Sequence, residues 1–172
     1  MDIYEAIYGR RSVRHYDSSR DVPQEVVEKL LKAAVQAPSA GNLQPWRFWV
    51  VRDKSLKEAM AEAAGNQFFV AQASAIVVVC ADLEASSWGY GQRGVDLYSI
   101  QDTAAAIQNL MLAACAEGLG TCWVGAFNEE KIRRYLKLPE RIRPVAVIPV
   151  GYPSQERKKA SKKDPLEFTE FL

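Results

Sequence analysis

The run AIVVVCA at residues 75–81 holds no charged side chain and nothing more polar than a thiol. A β-branched stretch of this length, apolar throughout instead of alternating, reads as a strand covered on both faces. Such a strand needs apolar layers above and below it, which confines the chain to layered α and β architectures. The longest candidate for a covering layer is VDLYSIQDTAAAIQNLMLAACAE at 95–117, alanine-rich and apolar on most sides. This segment is expected to be a helix at the centre of the structure. Asp102, Gln108 and Asn109 interrupt its apolar surface, and any of them that is buried requires a partner.

The remaining elements follow from periodicity and punctuation. Asp2 is placed to cap a short helix with Ile3, Ala6 and Ile7 inward and Gly9 as its stop. A second helix starts near Pro23, carries Val26, Val27, Leu30, Leu31 and Ala34 as a stripe, and ends before Pro38. RFWVV (47–51) predicts a short strand, after which Asp53 caps a helix running to Gly65. Beyond Gly118 and Gly120 come TCWV, a Gly-Ala-Phe turn, a helix capped by Asn128, and a last core strand, VAVIPV (145–150). The tail combines a basic, solvated ERKKASKK with PLEFTEFL, whose alternating Leu166, Phe168 and then Phe171 predict an edge strand seeking its own or a second subunit's sheet. The expected class is α+β, in one domain over residues 1–172.

The totals narrow the function. A 172-residue chain is long enough to bury about 70% of its unfolded surface. With 22 basic and 21 acidic residues the net charge is +1, which argues against nucleic-acid or membrane-surface binding. No apolar run approaches the roughly 20 residues that span a bilayer. The start MDIYEAIYGR lacks the pattern of a signal peptide, and three cysteines read as reduced thiols, so a cytoplasmic location is expected. One histidine, no CxxC and no HExxH disfavour zinc, and no GxSxG elbow supports a serine hydrolase. Gly89, Gly91 and Gly94 spell GxGxxG, but DLEASSW separates them from the preceding strand. The acidic residue due about 20 positions later would fall inside a helix, so a loop with Trp88, Tyr90 and Arg93 near a pocket is the better reading.

Four separated stretches carry candidate chemistry. In RRSVRHYD, Arg10, Arg11, Ser12 and Arg14 offer guanidinium forks and a hydroxyl suited to a phosphate. In APSAGNLQPW (37–46), small residues permit close backbone approach, and the amides of Asn42 and Gln44 can read a heterocycle edge. Asn66 follows a helix stop in GNQ, and Gly125 and Ala126 expose backbone amides in CWVGAF (122–127). His15 is open between a surface role and a phosphate or substrate contact.

The order RRSVRHYD, VPQEVVEKLLKAAVQAPSAGNLQPWRFWVV, VVVCAD, QDTAAAIQNLMLAACAEGLGTCWVGAF, LKLPE, PVAVIPVGYP resembles the flavin mononucleotide (FMN)-dependent nitroreductase family from about Ile3 to Phe168. The resemblance implies a central, mostly antiparallel sheet flanked by helices, with a C-terminal strand exchanged in a homodimer. It implies two FMN sites at the subunit interface. Arg10, Ser12 and Arg14, with Arg11 nearby, would hold the phosphate and ribityl chain. Pro38, Ser39, Ala40 and Asn42, alongside Gln44, would arrive from the other subunit. Asn66 matches a position that contacts the flavin ring, and Val124, Gly125 and Ala126 would lie against it. Lys163 matches one member of a second basic pair, whereas Ser161 occupies the other position and Lys162 is its neighbour. The implied activity is ping-pong reduction of nitroaromatic, quinone or related small acceptors by NADH or NADPH. A flavin-binding protein with little turnover is the alternative.

Overall fold

The computed structural model describes residues 1–155 and 161–172, so the ERKKA portion of the basic tail lies outside the described residues. Strand β1 (Trp46–Val51), β2 (Ala75–Asp82), β3 (Gly120–Thr121) and β4 (Ile142–Gly151) form one antiparallel sheet in the order β1-β2-β4-β3. Every residue of β2 is buried. Val77 and Val79 face one core, with α2 (Gln24–Ala34) and α6 (Ser99–Ala116) supplying Leu30, Ala34, Ile107, Leu110 and Ala114. Ile76, Val78 and Cys80 face a second core, built by α3 (Lys54–Ala63), α4 (Phe69–Gln72) and α7 (Glu129–Leu136) through Met60, Val70 and Ile132. The uninterrupted apolar run of β2 therefore corresponds to two cores, as a doubly covered strand requires. The β2–β4 register slips between Val79 and Cys80, where Cys80 faces Pro144, a residue with no N–H to give the ladder.

The caps read from the sequence are present. Asp2 accepts from the Glu5 N–H and Glu5 accepts from the Asp2 N–H, a complete capping box at α1 (Ile3–Gly9). Asp53 accepts from Leu56 N–H at α3, and Asn128 from Lys131 N–H at α7. Three expectations need correction. In α1 only Ala6 is buried; Ile3 and Ile7 are exposed, with α1 resting mainly against α6. The GxGxxG stretch is not a loop: residues 89–93 are the C-terminal part of helix α5 (Leu83–Arg93), broken only at Gly91, and Gly94 opens a π turn over Gly94–Tyr98. Asp82, with its carboxylate accepting from Ala85 N–H, starts that helix.

The third correction concerns PLEFTEFL, which forms a 3-10 turn over Pro165–Phe168 and no strand. Pro165 favours a turn start, and the Asp164 side chain accepts from Leu166 N–H. Leu166, Phe168 and Phe171 remain exposed.

None of the three cysteines is in a disulfide. Burial in the second core pushes the Cys80 thiol up to about 12, so at neutral pH it is neither charged nor reachable. Iodoacetamide at pH 8 should leave Cys80 of the native protein unmodified and alkylate it once urea unfolds the chain, as read by peptide mass spectrometry. Native-state labelling at the rate of a free thiol would mean that β2 opens readily.

Candidate functional site

The arginine segment begins where α1 ends. Arg10 closes the helix by donating its N–H to Ala6 O at 2.9 Å. The chain then runs beside β3: Ser12 pairs with Thr121 in a parallel bridge, and Val13 N–H donates to Thr121 O at 2.8 Å. Gly120 makes this approach possible, since a Cβ there would lie 2.7 Å from the Val13 side chain.

The three guanidinium groups have different roles. Arg11 folds back and donates to Tyr8 O at 2.6 Å and Arg10 O at 2.7 Å, serving as the C-terminal cation of α1. Arg14 lies 5.9 Å from the Phe69 ring centroid. Among the described residues neither Arg10 nor Arg14 is paired with a carboxylate, whereas Arg47, Arg52, Arg133, Arg141 and Arg143 all are. The His15 side chain is exposed, and its carbonyl accepts from Ser154 N–H.

Two further stretches come to the same edge of the sheet. Val124 is buried and exchanges backbone hydrogen bonds of 3.1 and 3.0 Å with Val147, leaving Gly125 and Ala126 exposed beyond it. Neither of those two amides donates to a group among the described residues. Gly65 and Asn66 are both left-handed, with φ of +71° and +61°. Asn66, Gln67 and Ala126 line one cleft of about 730 Å³ together with Phe127 and Lys131. Arg14 over Phe69 ties the arginine segment to the chain leaving this turn.

The fourth stretch lies elsewhere. Pro38, Ser39, Ala40, Asn42 and Gln44 precede β1, at the edge of the sheet opposite β3. Ala40 N–H donates to Asp102 Oδ1 at 3.1 Å in the first turn of α6, while Gly9, beside Arg10, stands against Cys115 in its last turn. About 20 Å of α-helix separates Asp102 from Cys115. One copy of the chain therefore does not surround a ligand with both groups of residues. At the C-terminal side, Lys163 Nζ lies 5.6 Å over the Phe168 ring, and Ser161 and Lys162 are exposed. Among the described residues no hydrogen bond or ion pair joins Lys162 or Lys163 to the arginine segment.

The glycines of the GxGxxG stretch serve packing. A Cβ on Gly89 would lie 3.2 Å from Leu43, and one on Gly94 would lie 2.0 Å from the Ser86 carbonyl. Asp102 was legible as a polar interruption in an apolar helix, and its partner, the Ala40 N–H, was not.

The Nitroreductase family model matches residues 7–94 and 63–152. The chain belongs to the nitroreductase family. A protein of Archaeoglobus fulgidus, assigned as an NADH dehydrogenase/NAD(P)H nitroreductase, is 43% identical over 155 residues, covering 88% of this chain and 85% of its own. A Bacillus subtilis FMN reductase (NADPH) is 28% identical over 163 residues, covering 87% of this chain and 65% of its own. A crystal structure from Parabacteroides distasonis superposes with a TM-score of 0.86 at 34% identity, over 98% of this chain and 96% of that one. The nitroreductase fold accounts for the antiparallel sheet flanked by helices.

Because the Gly120 approach fixes where the arginine segment lies, Gly120→Ala should overpack the buried Val13 and cost about 1–3 kcal/mol. Urea denaturation would show a lower midpoint, and a wild-type midpoint would mean that Val13 yields freely.

Proposed function

We propose that this nitroreductase-family chain is an NAD(P)H-dependent oxidoreductase that holds FMN at the interface of a homodimer and reduces small nitroaromatic, quinone or related acceptors by a ping-pong route. The observation that carries this reading is the divided donor set. Arg10 and Arg14 stand unneutralised at one sheet edge beside the free amides of Gly125 and Ala126, while the turn with Asn42 and Gln44 stands at the other. The chemistry of this set fits FMN: cationic forks for a phosphate, and backbone donors with side-chain amides for a polar heterocycle. A second copy would complete each site.

Arg10, Ser12 and Arg14 would hold the phosphate and ribityl chain, with Lys163 or Lys162 as a further cation. Asn66, Val124, Gly125 and Ala126 would face the ring. Pro38, Ser39, Ala40, Asn42 and Gln44 of the second copy would close the opposite side. FMN, when bound, supplies the two-electron redox chemistry, taking a hydride from NAD(P)H and passing it to the acceptor. The protein's part is to orient both partners in one slot, and exposed N–H groups there would stabilise developing negative charge. Arg11, committed to the end of α1, supports this arrangement by holding the segment's start.

The exposed apolar side chains favour association. Ile3, Tyr4 and Ile7 on α1, with Leu166, Phe168 and Phe171 near the C-terminus, are too many for a monomer's scattered surface. The tail would exchange between copies as a wrapped segment with a 3-10 turn, a form of the exchange that needs no strand.

Two measurements test these statements. Titration of FMN into the apoprotein, followed by anaerobic addition of NADH or NADPH, should give a yellow protein that bleaches. In Arg14→Ala, FMN binding should weaken by about 1.5–3 kcal/mol, the range for a lost charge-assisted hydrogen bond. Wild-type affinity would remove Arg14 from the site, and colour that neither nicotinamide bleaches would reduce the protein to a flavin binder. Sedimentation equilibrium should return twice the chain mass, and truncation after Asp164 should weaken the dimer. A monomer that binds FMN would overturn the shared site.

A further inference from the structure

The turn that a second copy would contribute has a costly backbone. Gly41, Asn42 and Gln44 have φ of +55°, +56° and +49°, and two of the three carry side chains that disfavour this region. A turn of this kind persists only where its surroundings over-determine it. Within the turn, Ser39 Oγ accepts from Gln44 N–H at 3.0 Å, and Gln44 Nε2 donates to Asn42 Oδ1 at 3.3 Å. Those contacts close the loop on itself but do not fix it to the body.

Groups outside the turn do: Gly89 of α5 packs on Leu43, Arg47 donates to Gln44 O at 3.4 Å, and two further groups hold Gly41 and Ala40. Tyr90 on α5 occupies the space beside Gly41, where a Cβ would lie 2.8 Å from its hydroxyl. Its ring packs edge-on against Tyr98 at 5.1 Å and 86°, and Tyr98 OH accepts from Arg93 Nε at 2.9 Å. From the other side Asp102 Oδ1 accepts the Ala40 N–H at 3.1 Å. Asp102 is 7% exposed, and among the described residues that N–H is the one donor its carboxylate receives. Burial pushes its carboxyl above the usual range, and the Ala40 N–H pulls it partly back. A buried carboxylate with one donor is a poor way to fill a helix surface that alanine or leucine would fill at less cost. Its position is explained by what it holds.

We propose that Asp102 is a positioning residue that, with Tyr90 behind Gly41, clamps the left-handed turn presenting Asn42 and Gln44 to the flavin site of the second copy. The role at the flavin rests on the proposed function; the clamp itself does not. In this role Asp102 acts through the Ala40 N–H it accepts. Without the clamp the turn keeps its internal bonds and loses its fixed place, so the ordering cost moves to the moment of binding.

The test compares Asp102→Asn, which keeps an acceptor oxygen in the same place, with Asp102→Ala, which does not. Asp102→Leu fills the same space and replaces the alanine variant if that folds poorly. Amide hydrogen exchange of residues 37–44, measured without FMN, should quicken at least tenfold in Asp102→Ala or Asp102→Leu and stay near wild type in Asp102→Asn. FMN titration of the same proteins should show about tenfold weaker binding for alanine or leucine and rescue by asparagine. Wild-type exchange in Asp102→Ala overturns the clamp. Faster exchange with unchanged FMN affinity overturns its role at the flavin site, while Arg14→Ala, still weakened, leaves the proposed function standing. Wild-type protein that binds no FMN defeats the proposed function, and the exchange measurement still decides the clamp.

Discussion

A strand buried on both faces leaves no room for a polar site in its own layer. β2 is such a strand: its odd residues enter one core and its even residues the other, and α2, α6, α3, α4 and α7 take up both faces. Polar chemistry is thereby displaced to the rims of the sheet. The edges differ in kind. β3 is two residues long, and the segment after α1 runs beside it; β1 is a full strand, and the chain enters it from the left-handed turn at 40–44. The division of the candidate donors between two rims follows from that geometry.

Charge is arranged to the same effect. Asp82 is buried, receives Arg47 at 2.9 Å with Arg141 at 3.9 Å, and caps α5 as well. That carboxylate anchors the helix whose Gly89 and Tyr90 pack on the 40–44 turn. Most other pairs are exposed and add little to stability. Arg10 and Arg14 stand apart from all of these, and Arg11 is spent on the C-terminal carbonyls of α1. A nearly neutral protein can thus present a local cationic group, because neutralisation is uneven over its surface.

Much of this was legible in residue order. The β2 run, the caps at Asp2, Asp53 and Asn128, and the 3.6-residue stripe of α2 are local signals set by side-chain chemistry within a few positions, and each element stands where they put it. Three readings failed for one shared reason: a local pattern was asked to report a partner it does not encode. Ile3 and Ile7 have the spacing of a buried face, but both stay exposed among the described residues. Leu166, Phe168 and Phe171 alternate as a strand does, yet Pro165 with the Asp164 cap starts a 3-10 turn there. WGYGQRG has loop composition, but the Asp82 cap and the close contact of Gly94 with Ser86 hold it helical.

By itself the sequence determined the layered α+β class, the family, and which residue types are offered to a ligand, since these depend on periodicity, capping and motif order. Only the tertiary structure decided how those residues are grouped. It put Ser12 beside Thr121, Arg14 over Phe69, and Asn66 and Ala126 in one cleft, and it sent Asn42 and Gln44 to the far edge. It also decided that Arg11 belongs to a helix end and that Asp102 faces Ala40. Contacts between residues 55 or more positions apart depend on how strands order themselves in a sheet, and no short stretch of sequence carries that order.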